Sequence, residues 1–281
     1  MECKHCLVPT FQIQCLSHPL TFLPVFNSPR VLGHEGSGYV REVGAGVKVA
    51  QVGDPVLLSY AFCNNCALCK EGKTGYCVQF AQDNFGGPYN VFKAGDEDIS
   101  AQFFGQSSFA ALSVVRECSV VNAKDLVKDK KELQLFAPLG CGIQTGSGTV
   151  VNAAKAGPND VVCIMGLGGV GLSAIMGAKV QECRTIIGID RVESRLNLAK
   201  ELGATHIIDG SKLPEGKSLG DVVREHSDGL GPTVVIDTTG VADLIKAGVE
   251  FTRNCGQFIQ VGTPPFEFKL EVSEAMTRVW R

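Results

Sequence analysis

Residues 161–190 read VVCIMGLGGVGLSAIMGAKVQECRTIIGID. A short apolar run, Val161 to Met165, meets a tight loop formed by Gly166, Leu167, Gly168, Gly169, Val170 and Gly171. A small-residue helix pattern follows over 172–180, and a second apolar run, Thr185 to Ile189, ends on Asp190. Strand, glycine loop, helix, strand and acid is the layout that binds a dinucleotide. Gly166 permits the sharp turn. Gly168 leaves backbone N–H groups open to a pyrophosphate, and Gly171 lets the helix pack close to the strand. The helix N-terminus then offers unpaired donors and the positive end of its dipole. Asp190 is placed to accept both ribose hydroxyls, and its charge would repel a 2′-phosphate, which favours NAD over NADP. Two plainer readings compete. A lone G-x-G-x-x-G arises by chance in a chain with 33 glycines, but chance does not supply the flanking strands and the terminal acid. A membrane span over 161–180 is opposed by the five glycines and Lys179 inside it.

The 281 residues suffice for one large or two medium domains, and 44% hydrophobic content supports real cores. A net charge of −3 and a pI near 6.0 give no general attraction to nucleic acid or to an anionic membrane. Residues 1–6 hold Glu, Lys and His with no unbroken apolar run after them, so no signal peptide is expected. Twelve cysteines without such a signal point to a reducing compartment. The expectation is a soluble, cytoplasmic protein.

Four prolines break residues 1–30, which show no sustained period; Cys3-x-x-Cys6 has no second pair nearby and reads as chance. From residue 31 the chain becomes a turn-rich β domain, with β-prone runs over 38–43 and 55–60. Gly33-His34-Glu35-Gly36 sets an imidazole beside a carboxylate, a common surface arrangement that becomes a ligand candidate once partners exist. The strongest local signal is Cys63-x-x-Cys66-x-x-Cys69-(x7)-Cys77: a compact loop wraps four thiolates around one tetrahedral zinc, closed and therefore structural. Disulfides and an iron–sulfur cluster fit less well. Residues 78–135 read as further β structure, with 106–115 a half-buried strand and 124–132 a solvated charged segment. Cys141, between glycines, is by itself a buried hydrophobe. After Asp190 the βα rhythm continues through strands at 206–208, 233–237 and 257–261, giving five parallel strands counted from Val161.

Together these motifs resemble the zinc-dependent, medium-chain alcohol dehydrogenases. The resemblance is carried by Gly33-His-Glu-Gly-Ser-Gly38, the cysteines at 63–77, Gly140-Cys-Gly142 with Thr145, the loop 166–171 and Asp190. Residues 137–152 are most similar to the branch acting on aryl or allylic alcohols. It implies an N-terminal GroES-like β domain over 1–140, carrying the structural zinc lobe. It further implies a Rossmann-type, doubly wound parallel sheet over 141–281 that binds NAD. It implies that His34 and Cys141 hold a catalytic zinc, with Glu35 beside it as an alternate ligand, Thr145 near the nicotinamide and Arg195 near the adenosine ribose. The family's first catalytic cysteine lies about twenty residues before the His-Glu pair. Cys15 is the nearest candidate, with Ser17 at the place of a proton-relay hydroxyl, although the residues around them depart from the family. By the same comparison the chain reads as shortened at both ends.

The function expected is hydride transfer between a primary aryl or allylic alcohol or aldehyde and NAD, a reaction suited to tailoring small molecules. The alternative is a catalytically inactive remnant that still binds NAD and zinc. A zinc-lobe module for nucleic acid is disfavoured, since the cysteine loop carries only Lys70 and Lys73 as cations. The expected partners are a small-molecule alcohol or aldehyde and a second copy in a homo-oligomer, with no nucleic acid and no membrane.

Overall fold

The computed structural model describes residues 5–11, 30–86, 92–267 and 269, with backbone alone for 5–11, 94 and 97. The chain divides into two compact units, 1–141 and 142–281.

The first unit is an antiparallel β domain. Strands β1 (His5–Phe11), β2 (Ser37–Tyr39), β3 (Glu42–Val43) and β4 (Pro55–Leu58) join β7 (Leu112–Arg116) and β8 (Val120–Asn122) in a six-stranded sheet. Its core is small: Val40, Val56, Leu58, Val115 and Val120 bury together. The cysteine region forms a lobe in which α1 (Ala67–Lys70) carries Cys69 and is preceded by Cys66, and α2 (Phe80–Phe85) follows Cys77. A hairpin of β5 (Phe92–Ala94) and β6 (Glu97–Ile99) follows.

Two local expectations fail here, for physical reasons. The half-buried strand expected over 106–115 exists only from Leu112; residues 102–108 make a tight loop in which Gln102, Phe104 and Ser107 all have positive φ. The buried side chains of Gln106 and Ser107 bond to backbone groups of 31–36, partners far away in sequence, and this overrides the strand pattern. The β-rich reading of 78–135 also missed α2, where Asn84 receives Ala61 N–H at 2.8 Å and donates to Ala61 and Phe80 carbonyls. The charged segment ends in helix α3 (Lys130–Leu135), whose N-cap Asp129 accepts the Glu132 N–H at 2.8 Å.

The second unit is a parallel five-stranded sheet: β9 (Val161–Met165), β10 (Thr185–Asp190), β11 (His206–Asp209), β12 (Val234–Asp237) and β13 (Gln257–Gln260), in the order β11-β10-β9-β12-β13. Between them run α5 (Gly169–Val180), α6 (Glu193–Leu202), α7 (Leu219–Glu225) and α8 (Ala242–Phe251). Every residue of β9 is buried, as a strand covered by helices on both faces requires. Its side chains alternate between two cores. Val162 and Ile164 pack with Ala174, Ile175 and Leu196, while Val161, Cys163 and Met165 pack with Val223 and Phe251. The strand order reverses beside β9, so a crevice opens past the carboxyl ends of β9 and β12, the place where open α/β sheets bind ligands. Helix α4 (Gly142–Gly148) packs on α5 and runs into a π-helical segment, Thr149–Ala154. Among the described residues no helix is long and apolar enough to cross a membrane.

Candidate active site

In the first unit, His34 Nε2 lies 3.1 Å from Cys141 Sγ across 107 residues of sequence. Each partner is fixed from the backbone outward. The Gln106 amide donates to the His34 carbonyl at 2.9 Å and accepts the Gly36 N–H at 3.1 Å, clamping the segment that bears the imidazole. Cys141 follows a one-turn helix, Ala137–Gly140, pressed against β4; a Cβ on Gly140 would stand 2.5 Å from the Leu58 carbonyl oxygen. The imidazole stacks on Phe104 at 4.7 Å and meets the edge of Phe103 at 5.8 Å. Burial pushes the His34 pKa down, opposed in part by the Glu35 charge, which favours the neutral, metal-competent ring. Phe80 and Phe85 on α2 extend this aromatic wall, each packing on Phe104. Sequence reading did not single out Gln106, Phe103 or Phe104. The signal was an uncharged polar run, Gln106-Ser-Ser108, set directly after two phenylalanines and a glycine.

The four thiols of Cys63, Cys66, Cys69 and Cys77 converge, with all sulfur atoms within 4.8 Å of one another. Tetrahedral zinc–thiolate bonds would set them about 3.8 Å apart, so this donor set fits one zinc ion. Backbone N–H groups already point at the sulfurs: Cys66 N at 3.3 Å from Cys63 Sγ, and Gln79 N at 3.4 Å from Cys77 Sγ. Val78 and Cys69 N–H groups pull the Cys66 thiol down to about 6, while burial first, and neighbouring thiols next, push Cys69 up to about 12. His34 and Cys141 supply two further donors of the kind a catalytic zinc takes. Glu35 follows His34 directly, and Cys15 and Ser17 lie outside the described residues.

In the second unit the glycine loop opens the crevice. Gly166 has φ +87°, and Gly171 packs so tightly that a Cβ there would fall 1.8 Å from the Gly166 oxygen. Gly168 and Gly169 differ, since a Cβ on either would meet nothing within 4 Å. Gly168 caps α5 without a side-chain hydrogen bond, so no capping side chain takes up the helix's first N–H groups. This cradle fits a coenzyme pyrophosphate. Asp190 holds the loop in place. Its Oδ2 accepts Leu167 N–H at 2.7 Å, and its Oδ1 accepts Arg191 and Val192 N–H at 2.7 and 2.9 Å. Burial raises its pKa, but these donors and the Arg195 guanidinium at 3.6 Å outweigh that and hold it below the usual value. Thr145 stands half-buried on α4, its carbonyl bonded to the Thr149 hydroxyl at 2.7 Å.

Residues 12–129 match the alcohol dehydrogenase GroES-like domain, and residues 169–279 match the zinc-binding dehydrogenase domain. A probable alcohol dehydrogenase of Pseudomonas sp is 37% identical over 257 residues, covering 90% of this chain and 78% of that one. Geraniol dehydrogenase of Castellaniella defragrans is 39% identical over 243 residues, 84% of this chain and 62% of the relative. The crystal structure of benzyl alcohol dehydrogenase from Acinetobacter calcoaceticus superposes with a TM-score of 0.84 at 35% identity, covering 99% of this chain and 75% of that one. The chain belongs to the zinc-dependent, medium-chain alcohol dehydrogenase family. It is an NAD-dependent oxidoreductase of that family, with zinc as its metal.

The open space at Gly168 gives a direct test. Gly168→Val should leave the thermal midpoint nearly unchanged, because a Cβ there meets no protein atom within 4 Å and the backbone is extended. It should weaken NADH binding by about tenfold or more by occupying the cradle. Equal NADH affinity in a folded Gly168→Val protein would remove the loop from the coenzyme site.

Proposed function

We propose that this chain oxidises primary aryl or allylic alcohols to aldehydes with NAD, and runs the reverse reduction, at a centre built on His34 and Cys141. The observation that carries this reading is the His34–Cys141 pair at 3.1 Å, walled by Phe103 and Phe104. Zinc supplies Lewis acidity toward an alcohol oxygen, and NAD accepts the hydride, when both are bound. The chain's own residues do the rest. Gln106 fixes the His34 backbone, and burial keeps the imidazole neutral. The aromatic wall excludes water and offers flat faces to a flat substrate. The GroES-like unit runs over 1–140 and the coenzyme unit over 141–281. In the latter the N–H groups at Gly168 and Gly169 receive the pyrophosphate, Asp190 and Arg195 face the adenosine ribose, and Thr145 packs by the nicotinamide. Glu35 stands ready as an alternate ligand, and Cys15 is proposed as the third protein ligand. The relatives named for geraniol and benzyl alcohol support the substrate class, since both are primary alcohols with an unsaturated carbon next to the carbinol. A tailoring step on a small molecule, by a homo-oligomer in the cytoplasm, completes the reading.

A substrate series with NAD tests it. Benzyl and cinnamyl alcohols should show kcat/KM above that of ethanol and of secondary alcohols. Phe104→Ala should narrow that preference by about tenfold, by removing one aromatic face. A preference for secondary or short aliphatic alcohols, unaltered by Phe104→Ala, would sink the proposed substrate class.

A further inference from the structure

Asp237 ends β12 with no exposed surface and makes no ion pair among the described residues. Both of its oxygens accept twice. Oδ1 takes the Thr239 hydroxyl at 2.6 Å and the Thr239 N–H at 3.3 Å; Oδ2 takes the Gly240 N–H at 2.9 Å and the Gln260 amide at 2.7 Å. A buried charge without a cation is costly and persists only when hydrogen bonds replace its hydration. One of those bonds ties Gln260 at the end of β13, and the other three fix the turn Thr238-Thr239-Gly240. That turn in turn presses on the glycine loop. The Thr238 hydroxyl donates toward the Gly166 carbonyl at 2.8 Å and the Met165 carbonyl at 3.0 Å. A Cβ on Gly166 would strike Thr239 Cγ2 at 2.7 Å and Thr238 Oγ1 at 2.8 Å, and one on Gly171 would meet Thr238 Oγ1 at 3.3 Å. The first and last glycines of the loop are therefore seated against residues that Asp237 holds. The two middle glycines, Gly168 and Gly169, face open space.

We propose that Asp237 is a positioning residue for the coenzyme. Acting through the Thr238-Thr239-Gly240 turn, it fixes the path of the glycine loop so that the Gly168 and Gly169 N–H groups are aimed before NAD arrives. This inference rests on the reading that the loop receives the pyrophosphate. Being wholly buried, Asp237 acts through its neighbours. Its charge also works against an anionic ligand, so the two roles it could have predict opposite signs. If Asp237 acted on the pyrophosphate through charge alone, Asp237→Asn would tighten NADH binding. As a positioning group it does the reverse: the asparagine turns an N–H toward donors of Gly240 or Thr239, and the turn loses its anchor.

The experiment measures NADH dissociation constants by fluorescence on the purified full chain, together with the thermal midpoint. Asp237→Asn should weaken NADH about tenfold or more. Turnover at saturating NAD should not fall in proportion, which separates positioning from a loss of chemistry. Thr238→Val should weaken NADH severalfold and Thr238→Ser should restore it, since only the hydroxyl is required. Val223→Ala serves as a control in the core beneath α7: it lowers the midpoint and leaves NADH affinity intact. If Asp237→Asn does not fold, the Thr238 pair carries the test, and equal affinity in Thr238→Val and Thr238→Ser overturns the proposal. Unchanged or tighter NADH binding in folded Asp237→Asn overturns it as well. Gly168→Val separates this from a failure of the coenzyme reading: if that variant binds NADH normally, the loop itself is not the site.

Discussion

Cys141→Ser is expected to lower alcohol turnover by about a thousandfold or more while leaving NADH bound with unchanged affinity. The size follows from what a metal Lewis acid contributes, several kcal/mol of charge stabilisation in the transition state, at about 1.4 kcal/mol per tenfold in rate. Serine is close to isosteric with cysteine, so the turn after Gly140 keeps its packing on β4. What changes is the donor: a hydroxyl stays protonated at neutral pH and is a poor zinc ligand, whereas a thiolate binds at about 2.3 Å. His34 would then face the metal without its nearest partner, which sits 3.1 Å away in the native chain. Zinc per folded chain should fall by one ion, leaving the four-cysteine lobe filled. The coenzyme cradle is built from residues 166–190 and should report no change. Turnover retained in Cys141→Ser, with zinc content undiminished, would remove Cys141 from the centre.

Why some of this was legible in the sequence and some was not comes down to the range of the interactions. The loop 166–171 and the strand pattern around it are local, and the five parallel strands appear in the order such a pattern implies. The four cysteines lie within fifteen residues, so their spacing alone foretold a common centre, and their sulfurs do converge. The His34–Cys141 contact spans 107 residues, and nothing in either local segment encodes it; only the resemblance joined the two. The loop at 102–108 was opaque for the same reason. Gln106 and Ser107 open a stretch that reads as a half-buried strand further on, yet their buried polar groups are satisfied by backbone at 31–36. Tertiary hydrogen bonding decided their conformation, as β-propensity commonly yields to context. Asp237 shows a further limit. An acid closing a β-strand resembles Asp190 in sequence, but one anchors the loop directly and the other through a turn.

Cys69→Ser should have the second large effect, on structure first and on catalysis through it. Cys69 is buried among the four thiols, and three donors cannot close a tetrahedral shell. Structural zinc contributes roughly 10–16 kcal/mol in small zinc-binding peptides, comparable with the about 5–15 kcal/mol total stability of a domain. The lobe's own helices are short: α1 spans four residues, and α2 is held by Asn84 bonding both polar groups of Ala61 and by the Asp83–Arg116 ion pair at 2.7 Å to the end of β7. Loss of the metal should therefore open residues 63–77 to limited proteolysis while the sheet of the second unit stays intact. The effect should then reach the centre. Phe80 and Phe85 on α2 pack against Phe104 at 6.2 and 5.1 Å, and Phe104 stacks on His34. A melted lobe withdraws the support of that aromatic wall, so aryl alcohols should lose more kcat/KM than ethanol does. NADH affinity should hold, because the coenzyme cradle shares no residue with the lobe. Full zinc content and native resistance to protease in Cys69→Ser would show that the four thiols do not act as one closed site.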